Sequence, residues 1–105
     1  MLYLNQDKSE NKYYVKVGYT SQRGERGILA RMSQYKTHNA TVICRSYCRG
    51  TRADEKHCHN ILYDLGTKQK GSEWVEVSPQ LFQQLYDKGM GYFYDRIPIH
   101  FLENY

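Results

Sequence analysis

Three consecutive stretches decide how this chain is read. They are Val15-Lys16-Val17-Gly18-Tyr19-Thr20, the loop Ser21-Gln22-Arg23-Gly24-Glu25-Arg26-Gly27, and the run from Ile28 to Tyr35. The first is rich in β-branched residues and ends at a glycine, the mark of a strand with something packed close to its end. In the third, Ile28, Leu29, Met32 and Tyr35 recur at helical spacing, which predicts a helix over 25–36. That helix carries Arg31 back toward Gly18. A strand end, a basic loop and a returning arginine together offer charge-assisted hydrogen bonds to a phosphodiester.

Working outward, Met1 to Asn5 reads as a short apolar strand containing Tyr3. Gln6 to Lys12 reads as a polar turn, and Tyr13 to Val17 as the second strand of a hairpin. Downstream, Thr41 to Cys48 suits a third strand. Thr51 with Asp54 three residues on marks a helix start, and this second helix runs to Tyr63 with Ala53, Cys58, Ile61 and Leu62 as its apolar side. Leu65 to Gly71 is a polar loop and Glu73 to Val77 a short extended segment. Ser78-Pro79 opens a third helix, with Leu81, Phe82, Leu85 and Tyr86 as its stripe, and Gly89-Met90-Gly91 stops it. The expected fold is α/β of the α+β kind. A three-stranded, mostly antiparallel sheet is flanked by three helices in the order ββαβαα, with the aromatic tail free to add a C-terminal edge strand. Residues 1–91 form the domain, and 92–105 are a tail packed on it.

With 105 residues the chain has room for one modest core. Hydrophobic residues make up 40%, which excludes a disordered chain. The net charge of +4 is unevenly spread: residues 16–52 carry eight basic residues against Glu25 alone, a net of +7, so the remainder is −3. One-sided basic charge of this kind points to a polyanion partner. The 11 tyrosines suit half-exposed surfaces and stacking on bases. No run is long enough to span a membrane and no signal-peptide pattern opens the chain, so the expected place is the cytoplasm, the host's if the chain is phage-encoded. The three cysteines read as reduced thiols.

Glu55 and His59 lie four residues apart, on one face of the second helix. Such a pair can bind a divalent cation, or the imidazole can contact a phosphate. A second possibility is a structural zinc held by Cys44 and Cys48, on the same side of a strand, with His57 and Cys58, although the spacing matches no short zinc knuckle. His38-Asn39 follows the first helix in a basic loop within reach of phosphate.

The ordered pieces resemble a GIY-YIG nuclease domain, closest to a short branch common in phages and bacteria. The resemblance rests on Tyr3 in the first strand, Lys16-Val17-Gly18-Tyr19-Thr20, Arg31 to Tyr35 followed by Thr37-His38-Asn39, Glu55 to His59, and Glu73-Trp74-Val75, covering residues 2–88. Each motif is weak alone; five in order are much stronger.

The resemblance implies hydrolysis of a DNA phosphodiester with one divalent cation, Mg2+ or Mn2+, held by Glu55. Arg31 would grip the scissile phosphate, and Tyr3 would orient or deprotonate the attacking water with help from nearby cations such as Lys16. His59 would stand behind the metal ligand or touch the phosphate. Arg23, Arg26, Lys36, His38, Arg45 and Arg49 are the expected nucleic-acid contacts. Lys16 stands where many members have a tyrosine. The family's late asparagine has no clear match, and Glu73 is the nearest residue. DNA is the expected partner, with RNA also open. A bare core that cuts both strands would act as a homodimer. The alternative is a catalytically degenerate module on the same fold that binds nucleic acid, or inhibits a host protein as a phage accessory factor.

Overall fold

A computed structural model describes residues 1–38, 41–95 and 98–102, with side chains given for all of these except 35–38. The expectations for Tyr35, Lys36, His38 and Asn39 therefore lie outside what is described. Strands β1 (Leu2–Ser9) and β2 (Lys12–Tyr19) form an antiparallel hairpin with Leu2 opposite Tyr19 and Ser9 opposite Lys12. Only Glu10 and Asn11 connect them, with Glu10 in the left-handed region at φ 56°. The polar turn expected from Gln6 onward is mostly strand instead. Gln6 is fully buried and its Nε2 donates to the Phe82 carbonyl at 3.0 Å, a tertiary contact that keeps a polar residue in the sheet.

The chain continues through α1 (Gly24–His38), β3 (Ile43–Cys48), α2 (Arg52–Leu65), β4 (Thr67–Lys68), β5 (Val75–Val77), α3 (Pro79–Lys88), a 3-10 turn (Gly89–Tyr92) and β6 (His100–Phe101). The strands form one sheet in the order β4-β5-β2-β1-β3-β6, with every neighbouring pair antiparallel. The class is the expected α+β, but the sheet has six strands among the described residues rather than three. The added strands are two or three residues long. Segments so short carry no readable alternation; they are strands because an open edge offers them hydrogen bonds. The expected C-terminal edge strand is β6, beside β3.

The sheet is covered on both faces. Ile28 and Met32 of α1 pack with Tyr3, Cys44 and Tyr47 on one face. Cys58 and Leu62 of α2, and Leu81 and Leu85 of α3, pack with Leu2, Leu4, Val15 and Val17 on the other. Of the expected apolar sides, Ala53 and Tyr86 are exposed. Tyr92, Phe93, Tyr94 and Ile99 of the tail pack against the larger cluster, and the Tyr94 hydroxyl donates to the Asp54 carbonyl at 3.1 Å. Among the described residues no helix is long and apolar enough to cross a membrane.

A bulge in β3 separates the cysteines. Leu4 pairs with Ser46 and Asn5 with Cys44, so Arg45 is the extra residue. A bulge reverses the alternation beyond it. Cys44 therefore joins the α1 face and Cys48 the opposite one, which corrects the expectation that they share a side and removes the basis for pairing them at one zinc. None of the three cysteines forms a disulfide among the described residues, and all three are buried. Burial pushes the Cys44 thiol up to about 12, so it stays protonated and inert at neutral pH. Cys44 is expected to resist iodoacetamide in the native protein at about pH 8 and to react fully once denatured, as peptide mass spectrometry would show.

Helix α2 carries the central candidate residues, and a complete capping box sets its start. The Thr51 N–H donates to Asp54 Oδ2 at 2.9 Å, and the Asp54 N–H donates to Thr51 Oγ1 at 3.2 Å. Thr51→Ala removes one orphan-donor partner and should cost about 1 kcal/mol in a urea unfolding experiment, with the fold retained.

Candidate functional site

The site forms where the pairing of β2 with β5 stops. That pairing covers only Tyr13 to Val15. Past Val15 the outer edge of β2 turns to α2 instead, and His59 Nε2 lies 2.6 Å from the Val17 carbonyl oxygen. A carbonyl only accepts, so Nε2 carries the proton and donates; in the neutral ring the lone pair is on Nδ1. This bond anchors the helix against the strand. One turn earlier, Glu55 Oε2 lies 4.0 Å from the same nitrogen, and both side chains are largely buried. Glu73, in the segment leading into β5, supplies a second carboxylate. One ligand atom each from Glu55, His59 and Glu73 falls within 4.8 Å of the others. Two carboxylates and an imidazole fit a divalent cation, the oxygens suiting Mg2+ or Mn2+ and the imidazole favouring transition metals.

Cations of the chain flank this acidic pair. Lys16 Nζ is 3.9 Å from Glu73 Oε2, and Arg52 Nη1 is 4.0 Å from Glu55 Oε1. Tyr63 lies along His59, with ring centroids 5.8 Å apart. Burial, then Glu73, then Glu55 push its phenol above the usual range, so it remains neutral.

Tyr3 and Arg31 form a second group beside the first. Arg31 Nε donates to the Tyr3 hydroxyl oxygen at 3.3 Å, and Nη1 to Gln34 Oε1 at 3.1 Å. Tyr3 is 1% exposed, and its ring lies directly over Gly18, its cross-strand partner. A Cβ at position 18 would stand 2.3 Å from the Tyr3 hydroxyl oxygen, so only glycine leaves room for the ring. Next along the same face is Asn5, opposite Lys16, fully buried and with neither end of its amide hydrogen-bonded among the described residues. An amide so placed can serve as donor and acceptor to a group entering from the site.

Tyr3, Lys16, Arg31, Glu55 and His59 thus line one stretch of β2: Tyr3 on Gly18, Lys16 in the strand, His59 on Val17 and Glu55 beside His59. Arg31 joins through Tyr3. The expected nucleic-acid contacts are scattered. Arg23 and Arg49 line a cleft at the strand ends. Arg26 is exposed on α1. Arg45 is held away from the site, its Nε donating to the Tyr86 carbonyl at 2.7 Å and its guanidinium 3.9 Å and 4.9 Å from the Tyr86 and Phe101 ring centres. Glu73 as a ligand, and the buried amide of Asn5, were not anticipated. Only the Glu-Trp segment hinted at the former. Nothing in the sequence marks Asn5, because a lone asparagine in an apolar strand has no pattern.

A family comparison places this small α+β domain among phage-type, nucleic-acid-related modules. The family comparison identifies the group: residues 1–88 match the T5orf172 domain, and the chain belongs to that phage-associated, nuclease-like family. No curated protein and no solved structure matches the chain.

Gly18→Ala drives a methyl group into the Tyr3 ring. It should destabilise the protein by about 1–3 kcal/mol and shift the Tyr3 ring resonances in an NMR spectrum. Unchanged Tyr3 resonances would mean that the contact is not as described.

Proposed function

We propose that the protein is a metal-dependent endonuclease of the GIY-YIG type, hydrolysing phosphodiester bonds in DNA. The observation that carries this reading is the gathering of Glu55, His59 and Glu73 within 4.8 Å, against the strand that also bears Lys16 and the Tyr3-covered Gly18. A divalent cation held by Glu55 and Glu73 would supply positive charge for the leaving oxygen, and His59, whose Nε2 donates to the Val17 carbonyl, could join them only through Nδ1.

The other roles fall to the chain itself. Arg31, exposed on α1, offers its guanidinium to the non-bridging phosphate oxygens. The Tyr3 oxygen accepts a hydrogen bond from the attacking water. Arg31 Nε, already donating to that oxygen, stabilises negative charge there if the proton is taken. Lys16 adds charge beside the phosphate. The His59 imidazole is held against β2 by its bond to the Val17 carbonyl, with the Glu55 carboxylate beside it.

One observation favours a second reading, a binding module that does not cut. Tyr3 is 1% exposed, so an attacking water has little access to its hydroxyl in this conformation.

Glu55→Gln separates the two. Supercoiled plasmid incubated with Mg2+ or Mn2+ should be nicked by the natural sequence and be cut at least about 100-fold more slowly by the variant, while salt-sensitive DNA binding persists in both. Equal cleavage by both proteins sinks the nuclease reading. Salt-sensitive binding with no cleavage across metals and DNA forms selects the binding module.

A further inference from the structure

A cleft of about 640 Å3 opens where β1 begins and β2 and β3 end. Its volume falls within the roughly 300–1,000 Å3 typical of sites for small ligands. Tyr19, Tyr47, Arg23, Arg49 and His100 are among its walls, with the backbones of Gly24 and Gly50. Arg23 and Arg49 are both exposed. His100 is exposed on one side and stacked on Tyr47 on the other, with centroids 4.7 Å apart and planes 14° from parallel. Burial, then Glu25, then Cys44 raise the Tyr47 phenol, so it is uncharged at neutral pH.

Two of the cleft's walls touch residues of the neighbouring site. Tyr47 is the cross-strand partner of Tyr3. Arg52 lies over the Tyr19 ring, 4.7 Å from its centre, and also 4.0 Å from Glu55. Arg52, against Glu55 on one side and the Tyr19 wall on the other, is the direct link between the two. Two planar cations and a ring stack open to solvent are what a phosphate and an unpaired base need.

We propose that this cleft binds one unpaired nucleotide of a nucleic-acid strand, its phosphate between Arg23 and Arg49 and its base on the outer face of His100. The proposal extends the reading of the neighbouring site as a nucleic-acid site, yet its ligand chemistry does not depend on cleavage. It also assigns selectivity: a strand with a looped-out or single-stranded nucleotide is preferred to a fully paired duplex, which cannot fill the cleft without unstacking a base.

The test uses the full chain in EDTA and fluorescence anisotropy with three labelled probes: a short single-stranded DNA, its RNA counterpart and a blunt duplex. An Arg23→Gln, Arg49→Gln double variant should weaken binding of a single strand about tenfold at low salt. His100→Ala should weaken it roughly 5- to 100-fold, and the same substitution should have no effect on a strand whose central nucleotide is abasic. Circular dichroism checks that each variant is folded. Binding of either single strand with these losses supports the proposal. Variants that bind like the natural sequence overturn it, as does a blunt duplex bound equally well with equal losses. Glu55→Gln keeps the two readings apart. A protein that never cuts but loses strand binding on the arginine changes retains the cleft and loses the nuclease. A protein that cuts while its cleft variants bind and cut unchanged does the reverse.

Discussion

The close contact between Tyr3 and Gly18 is the constraint on which the site depends. A tyrosine ring laid over the facing strand needs that strand to lack a side chain at the point of contact, and a Cβ there would lie 2.3 Å from the hydroxyl oxygen. With the ring in place, the hydroxyl meets Arg31 from α1. Without the glycine, the ring would be displaced and the hydrogen bond to the helix lost with it. The glycine is needed here for space, since its φ is not among the positive values that only glycine readily adopts.

The second constraint is the shortness of β5. Pairing beyond Val15 would have covered the outer edge of β2 and used the Val17 carbonyl in a ladder. Because β5 begins at Val75, the carbonyl is left for His59 of α2, which packs on the face of the sheet beside it. The capping box at Thr51 fixes the first turn of α2, so Glu55 and His59 leave the helix at defined heights one turn apart. A strand that stops early, and a helix that starts at a defined residue, together place a carboxylate and an imidazole at the sheet edge.

Much of this was legible in the sequence, and the failures have physical causes. Thr51 with Asp54, and Ser78 with Pro79, marked the starts of α2 and α3, because capping is local chemistry. The spacing of Ile28 and Met32 located α1, because one face of it is buried. The continuation of β1 through Gln6 to Ser9 was not legible, because Gln6 is held in the sheet by a hydrogen bond to Phe82, distant in sequence. The opposite faces of Cys44 and Cys48 were hidden by one extra residue at Arg45, since alternation read from sequence assumes an unbroken ladder. At the site, Glu55 and His59 were paired by helical spacing alone, whereas Glu73 joins them only through the return of the chain into β5.

Lys16 and Glu73 are two of the positions where the sequence departs from the nuclease pattern it resembles, and the structure makes them partners 3.9 Å apart. Taken singly, each departure is unfavourable. Glu73 brings a second negative charge within 4.8 Å of the Glu55–His59 group, a repulsion of about 3 kcal/mol between two carboxylates at an effective dielectric near 20, reduced by the half-exposure of Glu73. A lysine without a carboxylate opposite would put an uncompensated, largely buried ammonium beside the site. Together the two charges offset each other, and Arg52 does the same for Glu55. Lys16 and Glu73 therefore act as one ion pair rather than as two independent charges. It keeps the site near neutrality, leaves two carboxylates facing a shared point, and holds a positive charge on β2 beside the glycine that carries Tyr3.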